Sequence, residues 1–163
     1  MLPDLYCDLD GVLVNFDAGA RKAFGKPFDD ESLGNAANKW NIIELTVTDF
    51  WQTLDWMPQG KVLWSRIRKY NAEILSACPP GKNTCPGGKR AWCKRHLDGL
   101  NPGRIHTVPR NQKKNYALLR GKKNVLIDDM KSNTTDWERA GGVAILHKSI
   151  PDTMSQLTKL GFI

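Results

Sequence analysis

The sequence predicts an α/β fold in which a five-stranded parallel sheet is covered by helices on both faces, with a small helical insertion after the first strand. Three observations carry this. Short apolar runs recur along the chain with helical patterns between them. Three of those runs end on residues able to do chemistry: Asp8, Ser76 and Asp128. Residues 28–60 are polar, acidic and rich in tryptophan, and fit neither pattern.

The first strand is the run Leu5-Tyr6-Cys7, which stops at Asp8. Asp10-Gly11 marks a sharp turn, and residues 16–24 have helical spacing. Residues 30–55 predict two or three short helices packed over the main domain, closed by Met57-Pro58-Gln59-Gly60. Val62, Leu63, Ile67 and Tyr70 share a helical face. A second strand follows at 73–77. Pro79-Pro80-Gly81 and Pro86-Gly87-Gly88 then read as two chain breaks, with a basic helix over 89–97. A third strand is expected at 105–108, a helix at 112–119, a fourth strand at 124–127 and a helix at 134–140 stopped by Gly141-Gly142. A fifth strand at 143–146 and a helix at 150–160 complete the pattern. Strands alternating with helices give a parallel sheet, whose ligands bind beyond the carboxyl ends of the strands.

The chain has 163 residues, 40% apolar and 25% charged, as a globular domain of ordinary size requires. No apolar run approaches the ~20 residues of a membrane span. The N-terminus lacks the pattern of a secretory signal, so a cytoplasmic protein with reduced thiols is expected, Cys7 and Cys78 lying buried beside strands. Cys85, Cys93, His96 and His106 could in principle form a zinc site, but they lack the paired C-x2-C spacing.

Net charge is +7 and unevenly spread. Residues 1–60 hold four Lys/Arg against ten Asp/Glu, a net of −6; residues 61–123 hold sixteen against two, a net of +14; residues 124–163 hold four against five, a net of −1. A block as basic as the middle one attracts phosphate-bearing partners, a nucleic acid among them.

The string Asp8-Leu9-Asp10-Gly11-Val12 is the strongest local signal. A calcium loop is excluded, because Val12 and Val14 occupy places where oxygen ligands belong. A second acidic pair, Asp128-Asp129, follows another apolar strand. Carboxylates gathered at strand ends repel one another, and a hard divalent cation such as Mg2+ offsets that repulsion.

In this context the chain resembles the haloacid dehalogenase-like (HAD) superfamily, and within it the 5′(3′)-deoxyribonucleotidase branch and related phage and bacterial phosphatases. Asp8-Leu9-Asp10-Gly11-Val12-Leu13 is similar to the first family motif, Ile74-Leu75-Ser76-Ala77 to the second, Lys113 or Lys114 to the third and Leu126-Ile127-Asp128-Asp129 to the fourth. The resemblance implies a Rossmann-like three-layer sandwich spanning residues 1–163, with a small helical cap at 17–60. It also implies magnesium, held by Asp8, Asp128 and the Asp10 backbone carbonyl, with Asp129 acting through water or as an outer group. Asp8 becomes the nucleophile and Asp10 the general acid and base. Ser76 binds a phosphoryl oxygen, and Lys113 (Lys114 being the alternative) neutralises developing charge. Family dehalogenases and P-type ATPases typically lack the second aspartate, so Asp10 favours a phosphatase or phosphomutase.

The implied substrate is a nucleotide. Phe16 and Trp51 are the candidate base-stacking rings, among Trp40, Phe50 and Trp56, and Ser76, Ala77, Lys113 and Lys114 are the candidate phosphate contacts. Two further readings stand beside the nucleotidase. One is a phosphatase acting on nucleic-acid ends through Lys82, Lys89, Arg90, Lys94, Arg95, Arg104 and Arg110, with Trp92 interleaved. The other is an idle nucleic-acid-binding module. Lys89 with Trp92 also resembles a lysine-tryptophan helix of the deoxyribonucleotidase branch.

Overall fold

The computed structural model describes residues 2–162. Five strands form one sheet: β1 (Leu5–Cys7), β2 (Glu73–Ala77), β3 (Ile105–Val108), β4 (Val125–Asp128) and β5 (Val143–Leu146). Their spatial order is β3-β2-β1-β4-β5, and every pairing is parallel. Among the described residues six α-helices accompany them: α1 (Phe16–Phe24), α2 (Ala36–Thr46), α3 (Gly60–Ile67), α4 (Thr84–His96), α5 (Lys131–Arg139) and α6 (Ile150–Lys159).

The strands are buried on both sides, so alternate residues feed two cores. Leu5, Cys7, Ile74, Val125 and Ile127 enter the larger one, with Leu63 and Ile67 of α3, Trp92 of α4 and Leu157 of α6. Tyr6, Leu75 and Leu126 enter the smaller one, closed by Ala117 and by Trp137 of α5. The three layers follow from this alternation. Among the described residues no helix is long and apolar enough to cross a membrane.

The strand order fixes where a ligand can sit. The chain runs outward through β1, β2 and β3, then returns to the other side of β1 for β4 and β5. The connections leaving the carboxyl ends of β1 and β4 therefore part in opposite directions and open a crevice there. Asp8 follows β1 and donates its N–H to the Ile127 carbonyl of β4 at 2.9 Å, so both acidic motifs face that crevice.

Beyond Asp8 the chain makes a tight loop. The Leu9 carbonyl accepts from the N–H groups of Val12, Leu13 and Val14. Val14 then pairs with Trp56 in an antiparallel bridge, and Met57 N–H returns to the Leu13 carbonyl. Residues 15–55 thus leave and rejoin the main body at one place. They contain α1, α2 and two 3-10 turns, Glu31–Leu33 and Trp51–Thr53.

Four expectations are corrected. Pro86-Gly87-Gly88 does not break the chain; it lies in the first turns of α4, where a missing proline N–H costs nothing and Gly88 lets Trp51 approach. A Cβ on Gly88 would lie 2.6 Å from the Trp51 Cβ. The helix expected at 112–119 is instead a 3-10 run, Arg110–Tyr116. The expected reduced thiol at Cys78 is a disulfide to Cys85, leaving Cys7 and Cys93 free and buried. That bond also removes Cys85 from any zinc site, and His106 Nε2 instead pairs with Glu73 Oε2 at 2.6 Å. Trp92 is fully buried, donating its indole N–H to the Leu54 carbonyl at 2.8 Å, so it presents no ring to a nucleic acid.

Candidate active site

Asp8, Asp128 and Asp129 converge at the carboxyl ends of β1 and β4. One oxygen from each lies within 4.8 Å of the others, the one such group of potential metal ligands among the described residues. Parallel pairing of β1 with β4 brings the first two together, and the turn after β4 adds the third. Gly11 makes room for it: its φ is +77°, and a Cβ there would collide with the Asp129 carboxylate.

One ammonium serves this cluster. Lys113, 3% exposed, lies 2.9 Å from Asp8 Oδ1 and donates to Asp128 Oδ2 at 2.7 Å. Burial alone would lower its pKa, but Asp8 and then Asp128 outweigh that and hold it above the ordinary lysine value. Lys114, its neighbour on the 3-10 run, is exposed and does not line the cleft. Asp128 is further held by the Met130 N–H at 2.9 Å and by Asn133 Nδ2, 3.1 and 3.0 Å from its two oxygens.

Three carboxylates against one ammonium leave the cluster short of positive charge. Burial, reinforced by Asp8, raises the pKa of Asp128 despite Lys113. Asp129 opens to the cleft, yet loss of water around its carboxyl, followed by Asp8 and Asp128, pushes its pKa up to about 7. Hard oxygen donors with a charge deficit suit magnesium. Asp8, Asp128 and Asp129 are the side chains that would hold it.

Asp10 points elsewhere. Its Oδ2 accepts from Lys89 Nζ at 2.6 Å. Lys89 is 2% exposed and spends its other protons on Ser76 Oγ at 2.8 Å and the Ala77 carbonyl at 2.6 Å, with the Trp51 ring face 4.9 Å away. The other Asp10 oxygen, Oδ1, is buried without a hydrogen-bond partner. Burial raises the pKa of Asp10, opposed by Lys89 and reinforced by Asp8. One oxygen is therefore held by Lys89, and burial favours the protonated form of the carboxyl. Ser76 is fully buried at the end of β2. Sequence reasoning had placed Lys89 on a basic surface; its burial and its reach to Asp10, 79 positions away, appear only in the fold.

A cleft of about 990 Å³ opens over these groups. Asp8, Asp10, Lys113 and Asp129 line its floor, and Phe16, Phe28, Trp40 and Trp51 form an aromatic wall. Phe16 stacks on Trp51 at 6.0 Å, and Trp40 stacks on Trp51 at 5.9 Å. Trp51 is almost wholly covered by these neighbours, whereas Phe16, Phe28 and Trp40 remain half-buried. Trp56 packs instead against Trp92 and His96.

No protein-family model and no curated protein sequence matches the chain. Solved structures do match. A HAD family hydrolase from Deinococcus radiodurans R1, with bound phosphate and sodium, aligns with a TM-score of 0.58 over 98% of this chain and 88% of that one, at 14% identity. A HAD family enzyme from Bacteroides thetaiotaomicron, in complex with magnesium and inorganic phosphate, aligns at 0.51 over 92% and 96%, at 16% identity. The L-2-haloacid dehalogenase of Xanthobacter autotrophicus aligns at 0.55 over 99% and 87%, at 9% identity. The chain has the HAD-like hydrolase fold. Identities this low speak for the fold alone, so the chemistry of this chain must rest on its own residues.

Proposed function

We propose that the chain is a magnesium-dependent phosphomonoesterase that transfers the phosphoryl group to Asp8, with nucleoside monophosphates as substrates. The observation that carries this is the pairing of two differently served carboxylates in one crevice. Asp8 is held by Lys113 within an acidic cluster, while Asp10, two residues on, is gripped by Lys89 through one oxygen only.

In the first half-reaction an Asp8 oxygen attacks phosphorus and the bond to the leaving oxygen breaks. Asp10 gives its proton to that oxygen as the alcohol departs. In the second, Asp10 takes a proton from water, the water oxygen attacks phosphorus, and the bond to Asp8 breaks to release inorganic phosphate. Lys113 stays charged throughout and offsets the negative charge near Asp8. Magnesium on Asp8, Asp128 and Asp129 would supply the further positive charge that the phosphoryl oxygens need. Residues 17–60 act as a cap, and a nucleobase would lie on the half-exposed rings Phe16, Phe28 and Trp40.

The test is phosphate release from deoxynucleoside 5′- and 3′-monophosphates, with magnesium or with a chelator. Magnesium-dependent release, lost in Asp8→Asn, is expected. Release that survives Asp8→Asn would overturn the assignment of the nucleophile, and, with a sugar phosphate assayed alongside, release from it but not from the nucleotides would overturn the substrate class.

A further inference from the structure

The cleft holds two cations that the proposed chemistry does not use. Lys82 and Arg110 both line it, and among the described residues neither lies within salt-bridge distance of a carboxylate. Each is nevertheless held in place by neutral oxygens. Arg110 Nε donates to Asn133 Oδ1 at 2.9 Å, and its Nη2 donates to Ser132 Oγ. Lys82 Nζ donates to Asn41 Oδ1 on α2.

Lys82 also sits on a constrained segment. The Cys78–Cys85 disulfide closes a ring around it. Pro79 and Pro80 stiffen that ring, and Thr84 ties it to Glu44 of α2 through its backbone N–H, at 3.1 Å, and its hydroxyl. Neutral anchors leave the charge of Arg110 available to a ligand, and that of Lys82 is offset only in part by Glu44, which lies near it but outside salt-bridge distance. The two buried lysines differ, Lys89 being spent on Asp10 and Lys113 on Asp8 and Asp128, while the exposed Asp17 at the cleft is paired with Arg21 at 2.7 Å. A cleft of about 990 Å³ also far exceeds the room needed by one phosphoryl group.

We infer that the cleft binds a second phosphate of the substrate, distinct from the one transferred to Asp8, with Arg110 and Lys82 as its ligands. The inference rests on the phosphomonoesterase reading and extends its substrates from nucleoside monophosphates to molecules that carry a second phosphate, which it expects to be preferred. Two sources share that chemistry: a nucleoside bisphosphate, and a strand end whose terminal phosphomonoester neighbours a phosphodiester.

The experiment compares kcat/KM of the full chain for a deoxynucleoside 3′-monophosphate, a deoxynucleoside 3′,5′-bisphosphate and a dinucleotide with a 3′-terminal phosphate. Wild type is expected to favour substrates with the second phosphate by at least about tenfold, expressed mainly in KM. Arg110→Gln and, separately, Lys82→Gln should each cut that ratio to about threefold or less, while Arg110→Lys should keep most of it. A preference for the dinucleotide assigns the site to strand ends, and a preference for the bisphosphate assigns it to small molecules. A wild-type ratio near one, or a ratio unchanged in both glutamine variants, would overturn the inference. If no substrate is turned over, the phosphomonoesterase reading fails separately. Titration calorimetry of the bisphosphate against the monophosphate, on wild type and both variants, then reads the second-phosphate site directly by the same ratio.

Discussion

Lys113→Met is the sharpest perturbation of the carboxylate cluster, because the side chain keeps its bulk and loses only its charge. In wild type the ammonium lies 2.9 Å from Asp8 and 2.7 Å from Asp128, and all three side chains are at least nine-tenths buried. Removing one partner of such a group leaves uncompensated buried charge, at a cost of about 3–5 kcal/mol. Asp128, whose pKa is already raised, relieves part of this by taking a proton, so about 3 kcal/mol is expected near neutral pH. For a chain of this length that lowers the melting temperature by roughly 6–12 °C in the presence of chelator. Magnesium should then separate the two proteins in the other direction. In wild type the cation must share oxygens with Lys113; in the variant it meets an unneutralised cluster and binds more tightly. A ligand at 100 times its Kd adds about 2.7 kcal/mol, so millimolar magnesium should raise the variant's melting temperature more than the wild type's and narrow the gap. The assay is thermal denaturation across a magnesium titration, with phosphate release in parallel, where the variant should show little or no turnover. Equal melting temperatures in chelator, or equal shifts with magnesium, would refute the placement of Lys113 as the internal counter-ion.

Three other expectations follow from particular contacts. Thiol titration in denaturant should count two cysteines before reduction, Cys7 and Cys93, and four after it. Opening the Cys78–Cys85 ring, whose ends are 7 residues apart, should cost about 2 kcal/mol by the loop-closure relation, and four thiols before reduction would disprove the bond. Gly11→Ala combines a φ of +77° with a collision against Asp129, so urea denaturation should show a loss of at least about 1–3 kcal/mol; an unchanged midpoint would contradict the contact. Asp129 gives a pH dependence to the metal-free protein. Its folded pKa of about 7 lies above the unfolded value of 3.8, so the folded state holds the proton more tightly. That contribution is full below pH 3.8 and is lost as pH rises through about 7. Between pH 5 and pH 8 in chelator, Asp129→Asn should lose less stability than wild type, measured by paired melts; parallel curves would show that Asp129 titrates normally.

The sheet was legible because its strands are buried on both faces and so read as unbroken apolar runs. Ile74-Leu75 and Val125-Leu126-Ile127 send alternate residues into two cores, and no polar residue is needed between them. The acidic motifs were legible for the same reason, standing where such runs stop. Side-chain direction was not. Lys113 and Lys114 are adjacent, and only the path of the 3-10 run turns one into the site and the other to solvent. Lys89 carried a surface reading because a lysine on a basic helix usually is exposed; what buries it is the packing of α4 on Trp51, which Gly88 permits. The same Gly88, with Pro86, had signalled a break, since a glycine that serves close packing cannot be told locally from one that ends a helix. The disulfide ran against an argument from compartment, which says nothing about which sulfurs the fold brings together.

The uneven charge along the chain now has a partly internal explanation. The basic middle third supplies counter-ions to acids that the sheet gathers from elsewhere. Lys89 answers Asp10, Lys113 answers Asp8 and Asp128, and Lys122 answers Asp4. Arg120 answers Asp4 and Glu73 together. For Asp4, burial alone would raise the pKa, but hydrogen bonds from Lys122 and Arg120 outweigh it and hold the group below its ordinary value. A count of lysines and arginines therefore overstates the field available to a ligand, because several of these charges are cancelled by the fold. The informative cations are those that the fold positions without a direct carboxylate partner, and in the cleft these are Lys82 and Arg110. The strength of any anion preference should accordingly depend on those two positions far more than on the net charge of the chain.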